Sequence, residues 1–159
     1  EFFNSIVLSQ GKLSDEAGLF YVLAGSHLHI LGSEFRHLRA SSGSVIHGSE
    51  IDELIISKSI FHNNVAEIGS DLYITESSKI RIENDCIFEA QPLVESSNSI
   101  FIEDSKEICI STTKLLSNGF SPSLVIKESR TVLLSDVLLD HLQSVNDDND
   151  ENGTNQSRI

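Results

Sequence analysis

The sequence predicts an all-β fold, a single-stranded right-handed parallel β-helix (a solenoid) of about five coils, and three observations carry that prediction. The first is a repeat. The triplets Leu28-His29-Ile30, Leu54-Ile55-Ile56, Ile80-Arg81-Ile82, Ile108-Cys109-Ile110 and Val132-Leu133-Leu134 start 26, 26, 28 and 24 residues apart. A steady period between about 20 and 50 residues marks an array in which each unit buries its apolar face against the next. The second is that two further apolar positions keep fixed offsets from each triplet. The third is that Ser, Gly, Glu, Asp and Lys fill the gaps, as in Glu76-Ser77-Ser78-Lys79. Apolar runs bounded so closely by turn residues are too short for a helix face.

Each coil thus holds three short strands. The first comprises Leu19-Phe20-Tyr21-Val22, Val45-Ile46-His47, Leu72-Tyr73-Ile74, Ile100-Phe101-Ile102 and Leu124-Val125-Ile126. The triplets form the second. Phe35, Phe61, Phe88, Leu115 and Leu139 mark the third. Coils so built stack about 4.8 Å apart through strand-to-strand hydrogen bonds. A β-sandwich also has short strands, but its strands owe each other no register at the coil length. The segment from Ser135 to Val145 is expected to form a short capping helix.

The β-helix is expected over residues 1–142 and an acidic polar tail or linker over 143–159, where residues 146–153 include no apolar member. The chain has 159 residues and a formal charge of −13, from 24 acidic and 11 basic side chains. Nucleic acid and anionic lipid both require Lys and Arg, so neither is an expected partner. No stretch approaches the roughly 18 apolar residues of a membrane span, and no membrane insertion is expected. The chain opens in mid-pattern without Met or a signal peptide, and reads as a processed piece or a segment of a longer solenoid.

Residues 61–74, from Phe61-His62-Asn63-Asn64 through Gly69-Ser70-Asp71 to Leu72-Tyr73-Ile74, resemble the repeat of polymorphic outer-membrane-type β-helix proteins. Similar arrays occur in protist surface proteins. That repeat runs from a Phe through an Asn to a Gly pair and an apolar strand. Phe3-Asn4 with Gly18, and Phe35 with Gly43, echo it loosely. The second Gly is replaced by Leu19, Ser44 and Ser70, and Asn is missing after Phe35 and Phe88. The resemblance implies the β-helix fold and an extracellular or cell-surface setting, with a surface or adhesive role.

Several candidate chemistries follow from residue type and spacing. Asp148, Asp150 and Asn152, with Gly153 behind them, match the first half of a calcium loop, although Ile159 stands where the bidentate Glu belongs. No cofactor is expected beyond this partial calcium match. Asn152 and Asn155 head glycosylation sequons. Cys86 and Cys109 occupy different slots of neighbouring coils, which disfavours a disulfide. Among the six His, His29 is expected outward, in the slot of Ile55, Arg81, Cys109 and Leu133, and His47 inward, in the slot of Tyr21 and Ile74; neither spacing makes a zinc site. Glu50, Asp52, Glu53, Glu76, Glu103, Asp104 and Glu107 sit in turns among Ser and Lys, as solvated acids do, and pectin-hydrolase signatures are absent. No catalytic residue is assigned.

One feature stands out. The outward positions of the first strand, read as Phe20, Ile46, Tyr73, Phe101 and Val125, are apolar where a solvated face should be polar. This stripe is a candidate contact surface. The expected function is a non-enzymatic structural or adhesive β-helix module outside the cell, a segment of a larger surface or fibrous assembly. Its expected partners are copies of itself, neighbouring chains of that assembly, or a glycan. The alternative is a carbohydrate-active (lyase or hydrolase) or carbohydrate-binding β-helix.

Overall fold

The computed structural model describes residues 2–3, 6–8, 18–90, 98–117 and 121–139. These residues form a parallel β-solenoid of about four turns, slightly fewer than the five coils read from the sequence. Every strand pairing among them is parallel.

The first strands of successive coils are Phe20–Val22, Ile46–Ser49, Leu72–Thr75, Ile100–Glu103 and Leu124–Lys127, and they make a five-stranded sheet of their own. The second strands are Phe2–Phe3, His27–Leu31, Glu53–Ser57 and Lys79–Glu83; the third are Ile6–Leu8, Glu34–Arg36, Ile60–His62 and Cys86–Glu89. In the last two coils the second and third strands fuse into single bent strands, Glu107–Leu116 and Thr131–Leu139. The bends fall at Thr112 and Asp136, which take φ of 47° and 53°. Fusion joins the second and third stacks into one ten-stranded sheet. The capping helix expected from Ser135 is not formed over the described residues. Ser135 instead pairs with Ser111 in the last strand, because the repeat's parallel ladder outweighs a weak local helix pattern.

The register is the one that the period dictates. Leu28, Leu54, Ile80, Ile108 and Val132 pair in one file, and Phe35, Phe61, Phe88, Leu115 and Leu139 in another. Alternation does the rest: in the middle coils the even-numbered residues of each strand, such as Leu72, Ile80 and Ile100, face the bore and the odd-numbered ones face out. Ile, Leu and Val from each turn lie over their counterparts, and Phe35, Phe61 and Phe88 stack inside with centroids 5.1 and 4.3 Å apart.

Polar corners are held by serine ladders. At the corner after the first strand, Ser77, Ser105 and Ser129 each donate to the carbonyl two residues back, at 2.9, 3.1 and 2.9 Å. Each also accepts from the backbone N–H one coil earlier: Ile51 to Ser77, Ser77 to Ser105, Ser105 to Ser129. A buried hydroxyl is thus satisfied twice, once within its turn and once between turns. Ser33, Ser59 and Thr113 bond back in the same way at the second corner.

Where the ladder stops, volume is exchanged. Ile51 fills the serine slot in its coil, and the inward strand position beside it is Gly48 rather than the Ile74, Ile102 or Ile126 of later coils. A Cβ on Gly48 would lie 2.3 Å from Ile51 Cδ1. Gly69 meets a different demand. At φ 56° its missing Cβ would sit 2.1 Å from the Leu72 carbonyl oxygen, so only glycine closes that corner.

Candidate interaction surface

The outward file of the first sheet consists of Tyr21, His47, Tyr73, Phe101 and Val125, paired in sequence by the ladder. This corrects the stripe read from the sequence at two of its five positions. Phe20 and Ile46 pair with Leu72 in the inward file, and Ile46 is fully buried. Tyr73, Phe101 and Val125 hold. The error was a slip of one residue in the first two coils, and in a strand one residue inverts every side chain. For the same reason His47 faces out, not in: its counterpart is Tyr73, and Gly48 takes the slot of Ile74.

The file is an aromatic ladder. Ring centroids lie 5.2 Å apart for Tyr21 and His47, 5.0 Å for His47 and Tyr73, and 5.5 Å for Tyr73 and Phe101. Tyr21 is 60% exposed, and the other members are half-buried against their neighbours along the file. The Lys127 ammonium stands 5.5 Å from the Phe101 ring centroid, a cation held over a π face. His47 Nδ1 lies 2.8 Å from Ser42 Oγ. Burial lowers the His47 pKa from its ordinary value, with a hydrogen bond to Ser42 opposing in part. The imidazole is therefore neutral at neutral pH and takes its place in the ladder as one more ring.

Beside this file runs a second one, at the corner where the first strand ends. Glu50, Glu76, Asp104 and Glu128 occupy it in four successive coils, all exposed, with φ of 55°, 52°, 52° and 47°. The residues stand 26, 28 and 24 positions apart, the spacing of the strands themselves. No side-chain hydrogen bond or ion pair is made by these four among the described residues. Sequence reading placed Glu50, Glu76 and Asp104 in turns without joining them to Glu128. Applying the coil period to Glu50 would have found the file.

On the other faces Glu53, Glu83, Glu34 and Glu89 are each paired with a basic side chain. On the second sheet Glu53 accepts from Lys79 at 3.2 Å and lies 3.3 Å from His29, and Lys79 foremost, then His29, lowers its pKa. His29 shares its outward file with Ile55, Arg81, Cys109 and Leu133, as the sequence indicated. Arg81 meets Glu83, Arg36 meets Glu34, and His62 meets Glu89 at 2.7 Å. Cys86 is buried and Cys109 faces outward from a different strand; both are free thiols. Burial pushes the Cys86 thiol up to about 11, which leaves it inert as a nucleophile.

At the third corner, Asn64 donates to the Phe35 carbonyl at 3.1 Å and to Asp71 Oδ1 at 2.8 Å, and accepts from the Leu38 N–H at 3.0 Å. Asp71 is fully buried, and desolvation raises its pKa to about 7, opposed in part by the hydrogen bond from Asn64. At the second corner a groove is lined by Asp85, Cys86, Thr112, Lys114 and Asp136. No group of three or more His, Cys, Asp or Glu is placed to hold a metal among the described residues. The calcium candidates Asp148, Asp150 and Asn152, and the sequons at Asn152 and Asn155, lie outside the described residues.

Compared with known proteins, the chain matches no family model, no curated protein and no solved structure. Its class therefore rests on the fold: a parallel β-solenoid carrying an aromatic ladder on one outer face.

Proposed function

We propose that this chain is a rigid, non-enzymatic structural and adhesive module acting outside the cell, attached through its first sheet to a neighbouring protein of a larger assembly. The observation that carries this reading is the outward file Tyr21, His47, Tyr73, Phe101 and Val125. Rings set outward along a sheet face, Tyr21 exposed and the others half-buried, gain nothing from the solvent there, and they serve contact with another surface. Continuous backbone ladders supply stiffness. The likeness of residues 61–74 to surface β-helix repeats supports the extracellular setting. The last strand adds a second contact, by stacking of further coils or copies. Val132, Leu133, Leu134 and Leu138 are exposed along it, and among the described residues it is an edge of its sheet.

The test compares wild type with a Tyr73→Ser, Phe101→Ser variant for sedimentation behaviour and for binding to an array of peptides, proteins and glycans. Wild type should associate or bind, and the variant should lose that behaviour while keeping its circular dichroism spectrum. Identical behaviour of the two folded proteins would overturn the reading.

A second reading, a carbohydrate-active β-helix, draws on the groove at the second corner. Asp85 and Asp136 stand two coil steps apart there, about 9.6 Å by the ladder spacing, near the upper end for an acid and base pair. Turnover of a uronate or neutral polymer that disappears in both Asp85→Asn and Asp136→Asn would favour it.

A further inference from the structure

We infer that the first-sheet face binds an extended, Lys- and Arg-rich polypeptide segment laid along the solenoid axis. This rests on the attachment reading above and names its partner. The argument starts from what flanks the rings. On one side of the ladder Glu50, Glu76, Asp104 and Glu128 form an unpaired acidic file, while Glu53, Glu83, Glu34 and Glu89 on the second and third stacks are met by Lys79, Arg81, Arg36 and His62. Between ladder and file the outward positions are Ser49, Thr75, Glu103 and Lys127, which leave one cation against five carboxylates across the face.

Charge complementarity therefore selects the occupant. A second copy of this chain laid on the face would set an acidic file against an acidic surface of a chain already at −13, which like-charge repulsion disfavours. An acidic polysaccharide fails for the same reason. A basic segment is satisfied twice: its ammonium or guanidinium groups lie over ring faces, and their charge is neutralised by the adjacent carboxylates. The molecule already displays half of this arrangement, since Lys127 covers Phe101. The dimensions agree as well. Five coils span about 19 Å along the axis, the length of about six residues of extended chain.

The test is fluorescence anisotropy of a labelled Arg- and Lys-rich peptide of about ten residues, titrated with the whole chain, beside an acidic and a Ser/Gly-rich peptide of equal length. Three variants accompany wild type. One carries Tyr73→Ser and Phe101→Ser; one carries E50Q, E76Q, D104N and E128Q; one carries E34Q, E83Q, E89Q and E107Q, which removes as much charge from the other sheets. The basic peptide should bind best, and weaken about tenfold or more in each of the first two variants, with steep salt dependence. In the third the loss should stay within about threefold. Equal loss in the two charge variants would mean non-specific attraction and overturns the inference. So does preference for the acidic or neutral peptide, for a neutral glycan, or for a second copy of the chain. In those last cases a loss in the Tyr73, Phe101 variant would leave the attachment reading standing, whereas indifference to that variant would sink both.

Discussion

Phe35, Phe61 and Phe88 on the third stack, and Tyr21, His47, Tyr73 and Phe101 on the first, are two files of rings produced by one repeat. Both are spaced by the coil step, so their centroid distances overlap, 4.3 to 5.1 Å inside and 5.0 to 5.5 Å outside. What differs is parity. An inward slot makes the ring part of the bore, where it is wholly removed from water and stacked on its neighbours; an outward slot leaves it with one side wet, and Tyr21, His47 and Tyr73 tilted against one another. Inside, the rings are held by the need to fill volume. Outside, the solenoid has no need of rings, and polar residues would stack as well. The outer file therefore points to function and the inner one to stability.

The sharpest way to break that contrast is to truncate one member of each. Phe61→Ala should cost about 3–5 kcal/mol in chemical denaturation, because neighbouring coils are tied by their ladders and cannot close the cavity. Tyr73→Ser should cost about 1 kcal/mol or less, mostly lost strand preference and ring stacking.

Volume matters inside even where no ring sits. Gly48→Ile should destabilise by about 1–3 kcal/mol through overpacking against Ile51, and Ile51→Ser by about 2–4 kcal/mol through a void. Together the two changes recreate the Ile74 with Ser77 arrangement of the next coil, so the double variant should recover much of the sum, read as a double-mutant cycle.

Buried polarity gives a smaller effect with a clear sign. The folded pKa of Asp71, about 7, exceeds the ordinary aspartate value of 3.8, so the folded state binds the proton more tightly than the unfolded chain does. Its contribution is fully present below about pH 4 and is lost as pH rises through about 7, by a few kcal/mol in all. Asp71→Asn should flatten that part of the stability profile and raise the melting temperature at pH 8 relative to wild type. An unchanged profile would mean that Asp71 is already ionised in its corner at acid pH.

How much of this was legible beforehand follows from the same geometry. A 26-residue period with apolar triplets gave the parallel solenoid, the second and third files, and the outward position of His29, because the ladder converts equal spacing into contact. The first strand was harder. Leu19-Phe20-Tyr21-Val22 and Val45-Ile46-His47 are apolar on both faces in those coils, so hydrophobic pattern alone does not fix parity, and Phe20 and Ile46 were assigned to the wrong side. The exact coil period would have fixed it. Gly48 opposite Ile51, and Asn64 bonded to Asp71, are side-chain arrangements across a corner that no periodicity encodes. The fused strands at Thr112 and Asp136 were hidden because their ladder runs through a single left-handed residue, a bend that apolar spacing does not encode.

The claim on which the functional account depends is that the outward rings serve contact and not folding. Thermal unfolding and basic-peptide binding measured on the same Tyr73→Ser, Phe101→Ser protein test it together. The account expects a melting temperature lowered by no more than about half as much as in Phe61→Ala, and binding weakened about tenfold or more. A melt lowered as far as that of Phe61→Ala, with binding intact, would contradict it.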